Sequence, residues 1–237
     1  MKKIFIALMA VAMVALVGCN KKETVTENEV PSSLNVHYGD TIVMAKLMPG
    51  YTTYEEYVDN IQHAFCEGDT VYVGCIGQTV MHVTADQTVK KDIALNIQPW
   101  LREEDMFEIP SFDWTRDRAA ILAELGMPNS RSEVWGDSCY IYYIDENYNQ
   151  FAYYYFDGDT FDHLKEIMIQ VTDKDHGDVL KLFIAERFPF FQKGSWGTTT
   201  VYEYYDAPYK KDATTQILYY EQNGRNVSFR PFTYSSK

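Results

Sequence analysis

The sequence predicts an α+β protein built from tandem helix-plus-three-strand antiparallel units arranged in two layers. Three segments, which start near residues 54, 115 and 177, place apolar residues at helical spacing. Each segment is followed by short runs rich in β-branched and aromatic residues, which are typical of strands. A helix packed on one face of such a meander buries the apolar side of both elements.

The first unit is predicted at residues 40–98 from the order of its elements. Thr52 and Thr53 each precede a glutamate by three positions, in two overlapping capping boxes that favour a helix start. The apolar stripe of this predicted helix consists of Tyr54, Tyr57, Val58, Ile61 and Phe65. The predicted strands cover residues 41–47, 70–76, 79–84 and 92–97.

A connector is predicted at 99–113, a second unit at 114–173 and a third at 174–237. The second and third predicted helices, which start near residues 115 and 177, are ended by Gly126 and Pro189. Glycine suits the position after a helix, and proline cannot continue one. The predicted strands cover 138–144, 151–156, 163–171, 199–205, 214–221 and 226–233. A constant offset of 62 residues relates Ala123 to Ala185, Glu124 to Glu186, Tyr140 to Tyr202, Tyr142 to Tyr204, and Tyr143 to Tyr205.

The N-terminal segment has the features of an export signal. Lys2 and Lys3 precede the apolar run Ile4–Val17, which suits a signal peptide better than a permanent membrane helix. The run ends in Leu16-Val17-Gly18-Cys19, which resembles the lipobox of bacterial lipoproteins. That resemblance implies a signal peptide at 1–18, acylation of Cys19 and attachment to a membrane of the bacterial cell envelope, with the outer membrane or cell surface favoured. The polar residues that follow predict a flexible tether at 19–39.

The composition argues against several classes of function. The chain has 34 acidic and 21 basic residues and a formal charge of −13, so no nucleic-acid partner is expected. The five histidines do not cluster at ligand spacings, and no nucleotide-binding or nucleophile motif occurs, so no metal, cofactor or catalytic residue is predicted. Cys66, Cys75 and Cys139 remain after Cys19, and the sequence leaves their pairing open.

The tyrosine-rich strands carry the prediction of a binding surface. Side chains alternate across a strand, and the helices cover only one face of a sheet. We expect the uncovered face to carry Tyr140, Tyr142, Tyr202 and Tyr204. Because tyrosine is enriched at protein interfaces, this face is the predicted binding surface. Cross-strand packing that only stabilises the sheet is the alternative. The predicted function is a non-enzymatic binding module for a protein or peptide; the alternatives are a glycan-binding accessory protein and an unrecognised hydrolase.

The element order resembles three groups of proteins over most of residues 40–237. It is similar to the tandem α/β repeats of β-lactamase-inhibitor proteins and to small outer-membrane lipoproteins of the SmpA/OmlA type. It also resembles uncharacterised Bacteroidetes lipoproteins, in which a proline and a tryptophan, here Pro110 and Trp114, precede each helix. The resemblance implies a tandem layout and transfers no functional residue.

Overall fold

The computed structural model describes residues 30–134, 137–145, 150–157 and 163–235. The predicted α+β class of tandem helix-plus-three-strand units is wrong. These residues form fifteen strands, whereas the longest α-helix has eight residues. The protein is mostly β, with large antiparallel sheets.

Residues 30–98 form two small sheets around a core of their own. One sheet has the strand order β1-β7-β6-β3 and the other the order β2-β5-β4. The elements are β1 Ser33–His37, β2 Thr41–Val43, α1 Met44–Leu47, β3 Tyr54–Val58, β4 Ala64–Glu67, β5 Thr70–Val73, β6 Gly77–Ala85 and β7 Val89–Gln98. Their shared core includes Met44, Val71, Met81 and Leu95.

The helix predicted from Tyr54 onwards does not form. Residues Tyr54–Val58 are strand β3, which pairs antiparallel with the long strand β6. Thr52 and Thr53 do not cap a helix; their amides and hydroxyls donate to the Asp86 carboxylate, with both amide bonds shorter than 3.0 Å. Asp86 lies in the β6–β7 turn with a φ of 47°. Asp86, a residue distant in the sequence, therefore accepts hydrogen bonds from the two threonines that the capping-box pattern assigned to a helix start.

The predicted tether at 19–39 extends too far along the chain. Within it, Ser33–His37 is strand β1, which pairs in parallel with β7 from Ser33 opposite Ala94 onwards. Val36 is buried in the core of this part. The polar composition of this segment did not indicate a strand, because backbone hydrogen bonds rather than a run of apolar side chains attach β1 to the sheet.

Residues 99–235 are dominated by one antiparallel sheet of eight strands, in the order β12-β13-β14-β15-β11-β10-β9-β8. Two meanders, β8–β11 and β12–β15, meet at the central β11–β15 pair, where Ile167 lies opposite Phe229. The strands are β8 Ser130–Val134, β9 Asp137–Asp145, β10 Gln150–Phe156, β11 Leu164–Val171, β12 Phe190–Trp196, β13 Thr199–Tyr205, β14 Thr215–Glu221 and β15 Arg225–Pro231.

The α-helices among the described residues of this second part are short. They are α2 Arg118–Leu125, α3 Lys174–Gly177 and α4 Leu180–Ala185, and α2 and α4 pack on one face of the sheet. Helix α2 is preceded by the capping residue Asp117, whose side chain accepts the Ala120 amide at 2.7 Å, and is followed by Gly126 with a φ of 77°. Ile121 and Phe183 are completely buried, in one core with the strand residues Ile167 and Phe229.

Each meander has four strands instead of the predicted three. The additional strands, β8 and β12, lie at the two ends of the sheet. Strand β8 reads Ser-Arg-Ser-Glu-Val, and every residue of β12 is exposed. Edge strands pair on one side only and need no regular apolar alternation, so the sequence pattern predicts neither of them. The division of 114–237 into two units stays a sequence-based prediction, because both halves contribute to one continuous sheet.

A buried glutamate joins the two parts of the chain. The Glu186 carbonyl accepts the Ile76 amide at 2.7 Å, and its carboxylate accepts the amides of Trp100 at 2.8 Å and Leu101 at 3.4 Å. The neighbouring Arg187 donates to the Leu101 carbonyl at 2.6 Å. This pair of residues fixes the connector between the two cores.

Candidate functional site

The four tyrosines predicted to form a binding surface lie on the wrong face of the sheet for that role. Tyr140 and Tyr204 are each only 2% exposed, and Tyr142 and Tyr202 are partly buried against the same core as the helices. Strand alternation correctly separates two sets of side chains but does not specify which set the helices cover. The helices cover this set, so the expected exposed patch does not exist.

The opposite face of the eight-stranded sheet is the candidate site, and we call it the open face. The core shared with the helices contains strand residues from the other face only. The open face carries aromatic rings interspersed with charged and polar side chains. Its aromatic and charged residues are Tyr143, Phe151, Tyr153, Tyr155, Glu166, Trp196, Glu203, Tyr205, Tyr220 and Arg230.

An aromatic ladder runs along β9 and β10 on the open face. The Tyr143 and Phe151 rings meet edge to face with centroids 5.0 Å apart, and the Tyr153 and Tyr155 rings are nearly parallel at 6.2 Å. The Tyr153 hydroxyl donates to Gln170 at 3.0 Å, which fixes its ring over the centre of the sheet. Burial raises the pKa of Tyr153 and of Tyr155, so both hydroxyls stay protonated and can donate hydrogen bonds.

A polar group occupies the centre of the open face. Glu166 accepts hydrogen bonds from Ser228 at 2.5 Å and from Arg230 at 3.0 Å. The Arg230 guanidinium lies 5.6 Å from the centroid of the Trp196 ring, and Trp196 contacts Tyr220 at 5.4 Å. These contacts hold an arginine, a tryptophan and a tyrosine beside one another. Those three residue types dominate binding energy at protein interfaces.

A buried carboxylate lies at the corner of the open face next to Trp196. Glu203 accepts hydrogen bonds from Gln192 at 2.5 Å, from Gln216 at 2.7 Å and from the hydroxyl of Tyr205. Burial opposes its ionisation, but these hydrogen bonds outweigh burial and keep the pKa of Glu203 below its ordinary value. A cavity of about 380 Å³ lies over this corner, between Trp196 and Glu203.

The cysteines of the described residues are free thiols: Cys66, Cys75 and Cys139. Cys139 lies on the open face but is only 1% exposed. Burial raises the pKa of the Cys139 thiol to about 12, as it does for Cys75, so neither thiol is a nucleophile at neutral pH. The open face offers aromatic contact area and hydrogen-bonding groups.

The predicted lipidation site, Cys19, lies outside the described residues, so acylation stays a prediction. No helix in the described ranges is long and apolar enough to cross a membrane.

Comparison with solved structures gives partial similarities, including those to two Bacillus proteins. A DUF4309 family protein from Bacillus subtilis is 14% identical with a TM-score of 0.35, over 54% of this chain and 89% of its own. An extracellular protein containing an SCP domain, from Bacillus anthracis, is 10% identical with a TM-score of 0.27, over 55% of this chain and 50% of its own. Similarity at this level carries no argument about function. No family model and no curated protein matches the chain.

Proposed function

We propose that the protein is a lipid-anchored interaction module that binds a protein or peptide partner through the open face. The observation that carries this proposal is the placement of seven aromatic residues on a sheet face opposite the helices, around the Glu166–Arg230 pair. In the proposal, acylated Cys19 holds the protein at a membrane of the cell envelope. The residues after Cys19 then connect that anchor to the folded part.

The exposure of the rings supports binding over a purely structural role. Tyr143 is 47% exposed and Trp196 is 46% exposed, although both lie beside other rings of the open face. These two rings have contacts within the sheet and still leave nearly half of their surface to solvent, whereas Tyr205 is only 2% exposed. A partner can therefore bury the remaining area without rearranging the sheet, which keeps the entropic cost of binding low.

A glycan ligand is the second candidate, and one observation favours it. The exposed Trp196 ring borders the cavity at the Glu203 corner, where Gln192, Gln216 and Arg230 supply amide and guanidinium groups. An aromatic ring beside such donors and acceptors suits a sugar, which presents an apolar face and a rim of hydroxyls.

Affinity capture with a double substitution tests the proposed face. The lipidated protein serves as bait in native membranes, and Tyr143→Ala with Trp196→Ala removes two of the most exposed rings of the open face. We expect this variant to lose a partner that wild type retains. Tyr57→Ala is the matched control, because Tyr57 is 62% exposed but lies on β3 in the other part of the chain. If the double variant retains the partner as well as wild type does, the open face is not the binding surface. A glycan array probed with the same variants tests the second candidate, a glycan ligand.

A further inference from the structure

A lysine side chain is enclosed by aromatic rings at one corner of the open face. The Lys210 ammonium nitrogen lies 4.4 Å from the ring centroid of Phe191, 5.1 Å from that of Tyr205 and 5.5 Å from that of Phe232. A carboxylate oxygen of Glu203 lies 3.8 Å from the same nitrogen. We call Phe191, Tyr205, Phe232 and Glu203 the ammonium cage.

The rings of the cage are held by the sheet and by one another. Tyr205 meets Phe191 at 5.4 Å and Phe232 at 4.9 Å, in both cases edge to face. A register shift between Phe190 and Gln192 places Phe191 on the same side as Gln192, over Tyr205. The backbone of β12 therefore positions this ring, whether or not Lys210 is present.

The carboxylate of the cage is held mainly by hydrogen bonds, and the Lys210 charge adds a smaller contribution that lowers the pKa of Glu203. Three neutral donors, the side chains of Gln192, Gln216 and Tyr205, hold Glu203 in its charged form. Removing the lysine leaves a negative charge beside three ring faces. Ring faces and a carboxylate are the groups by which proteins bind organic ammonium ions.

Lys210 can leave the cage without unfolding the loop that carries it. Its side chain is 31% exposed and extends from the short 3-10 turn Lys210–Asp212. The loop is anchored elsewhere, because Asp206 accepts the amides of Thr214 at 2.9 Å and Thr215 at 3.0 Å. Rotation of one side chain is enough to open the cage to another cation.

We propose that the ammonium cage binds the lysine side chain of a partner protein, and that Lys210 occupies it in the free protein as an internal competitor. This inference rests on the proposed function for the nature of the partner, but the cage itself is testable without one. Because Lys210 must leave first, the apparent affinity for an external ammonium ion falls by the fraction of molecules whose cage is open.

The test measures binding of n-butylammonium, which mimics the lysine side chain, by NMR of labelled phenylalanine rings. Lys210→Met removes the charge and keeps most of the apolar stem. We expect this variant to bind n-butylammonium on the order of tenfold more tightly than wild type. The neutral analogue 1-butanol should bind both proteins more weakly than n-butylammonium does, because it has no positive charge for the ring faces to attract. Lys211→Met is the matched control, because it removes the adjacent lysine, which lies near Tyr209 and outside the cage.

Two outcomes would overturn the inference. One is equal affinity of wild type and Lys210→Met for n-butylammonium; the other is unchanged binding when Glu203→Gln is added to Lys210→Met. If Lys210→Met does not fold, Lys210→Gln is compared in the same way. The capture experiment with Tyr143→Ala and Trp196→Ala involves no cage residue, so failure of the cage and failure of the proposed function give different results.

Discussion

Replacement of Tyr204 by alanine is the sharpest test of which sheet face is covered. Tyr204 is 2% exposed and lies on β13 between Phe190 and Ile217 of the neighbouring strands. Its ring meets Phe190 at 5.6 Å and belongs to the core that the helices share with the sheet. Tyr204→Ala therefore opens a cavity in the second core.

The size of the effect follows from the area that this ring buries. A buried tyrosine removes on the order of 200 Å² from water, which at about 25 cal/mol per Å² corresponds to about 5 kcal/mol. Alanine keeps the β-carbon, and the unfolded chain already hides part of this area. The expected loss in the free energy of unfolding is thus about 3–5 kcal/mol.

Urea melts followed by tryptophan fluorescence measure this loss. Trp114 reports on the second part of the chain, because its indole donates to Thr215 at 3.1 Å. With a denaturant slope of roughly 2–3 kcal/mol per molar, the Tyr204→Ala midpoint should fall by about 1–2 M. Tyr143→Ala on the open face should change stability by less than about 1 kcal/mol. The reasoning is refuted if Tyr143→Ala costs more than Tyr204→Ala.

Three further predictions concern the anchor, the junction and a surface histidine. A palmitate analogue should label wild type and not Cys19→Ala; an unlabelled wild type would exclude the lipidation. Glu186→Ala leaves the Trp100 and Leu101 amides without their acceptor, so it should cost about 1–3 kcal/mol in a urea melt, and no loss would contradict the junction role. His82 bonds Asp92 at 2.7 Å and Asp59 at 3.0 Å, and these contacts, the Asp92 hydrogen bond foremost, raise its pKa. The raised pKa favours the protonated folded form, so this stabilisation is complete below the ordinary histidine pKa and is lost as pH rises through the folded value. Thermal melts across that window should show a weaker pH dependence for His82→Gln, and identical profiles would exclude the effect.

Strands β10 and β11 of the second part could be predicted because they bury alternate residues along most of their length. Along β10, for example, every second side chain is buried, and the prediction of residues 151–156 differs by one residue from the observed strand. The strand at Tyr54–Val58 in the first part could not be predicted in this way. Its sequence matches a helix locally, through the spacing of Tyr54 and Tyr57 and the two threonines that precede glutamates. What decides the conformation there is pairing with β6 and the Asp86 turn, both about 30 residues away. Local pattern cannot encode contacts at that range.

The position of the candidate site shows the same limit in a different form. Alternation correctly placed Tyr140 and Tyr142 on one side of β9 and Tyr143 on the other, but both sets are aromatic, so composition could not assign either set to the core. The assignment depends on the side on which Ile121 and Phe183 pack, which is set by the connections between helices and strands.

The ammonium cage could not be predicted from the sequence for a related reason. Its members come from β12, β13 and the chain after β15, and the register shift at Phe191 helps to bring them around the Lys210 nitrogen. A site of this kind can be recognised only after the sheet register is known.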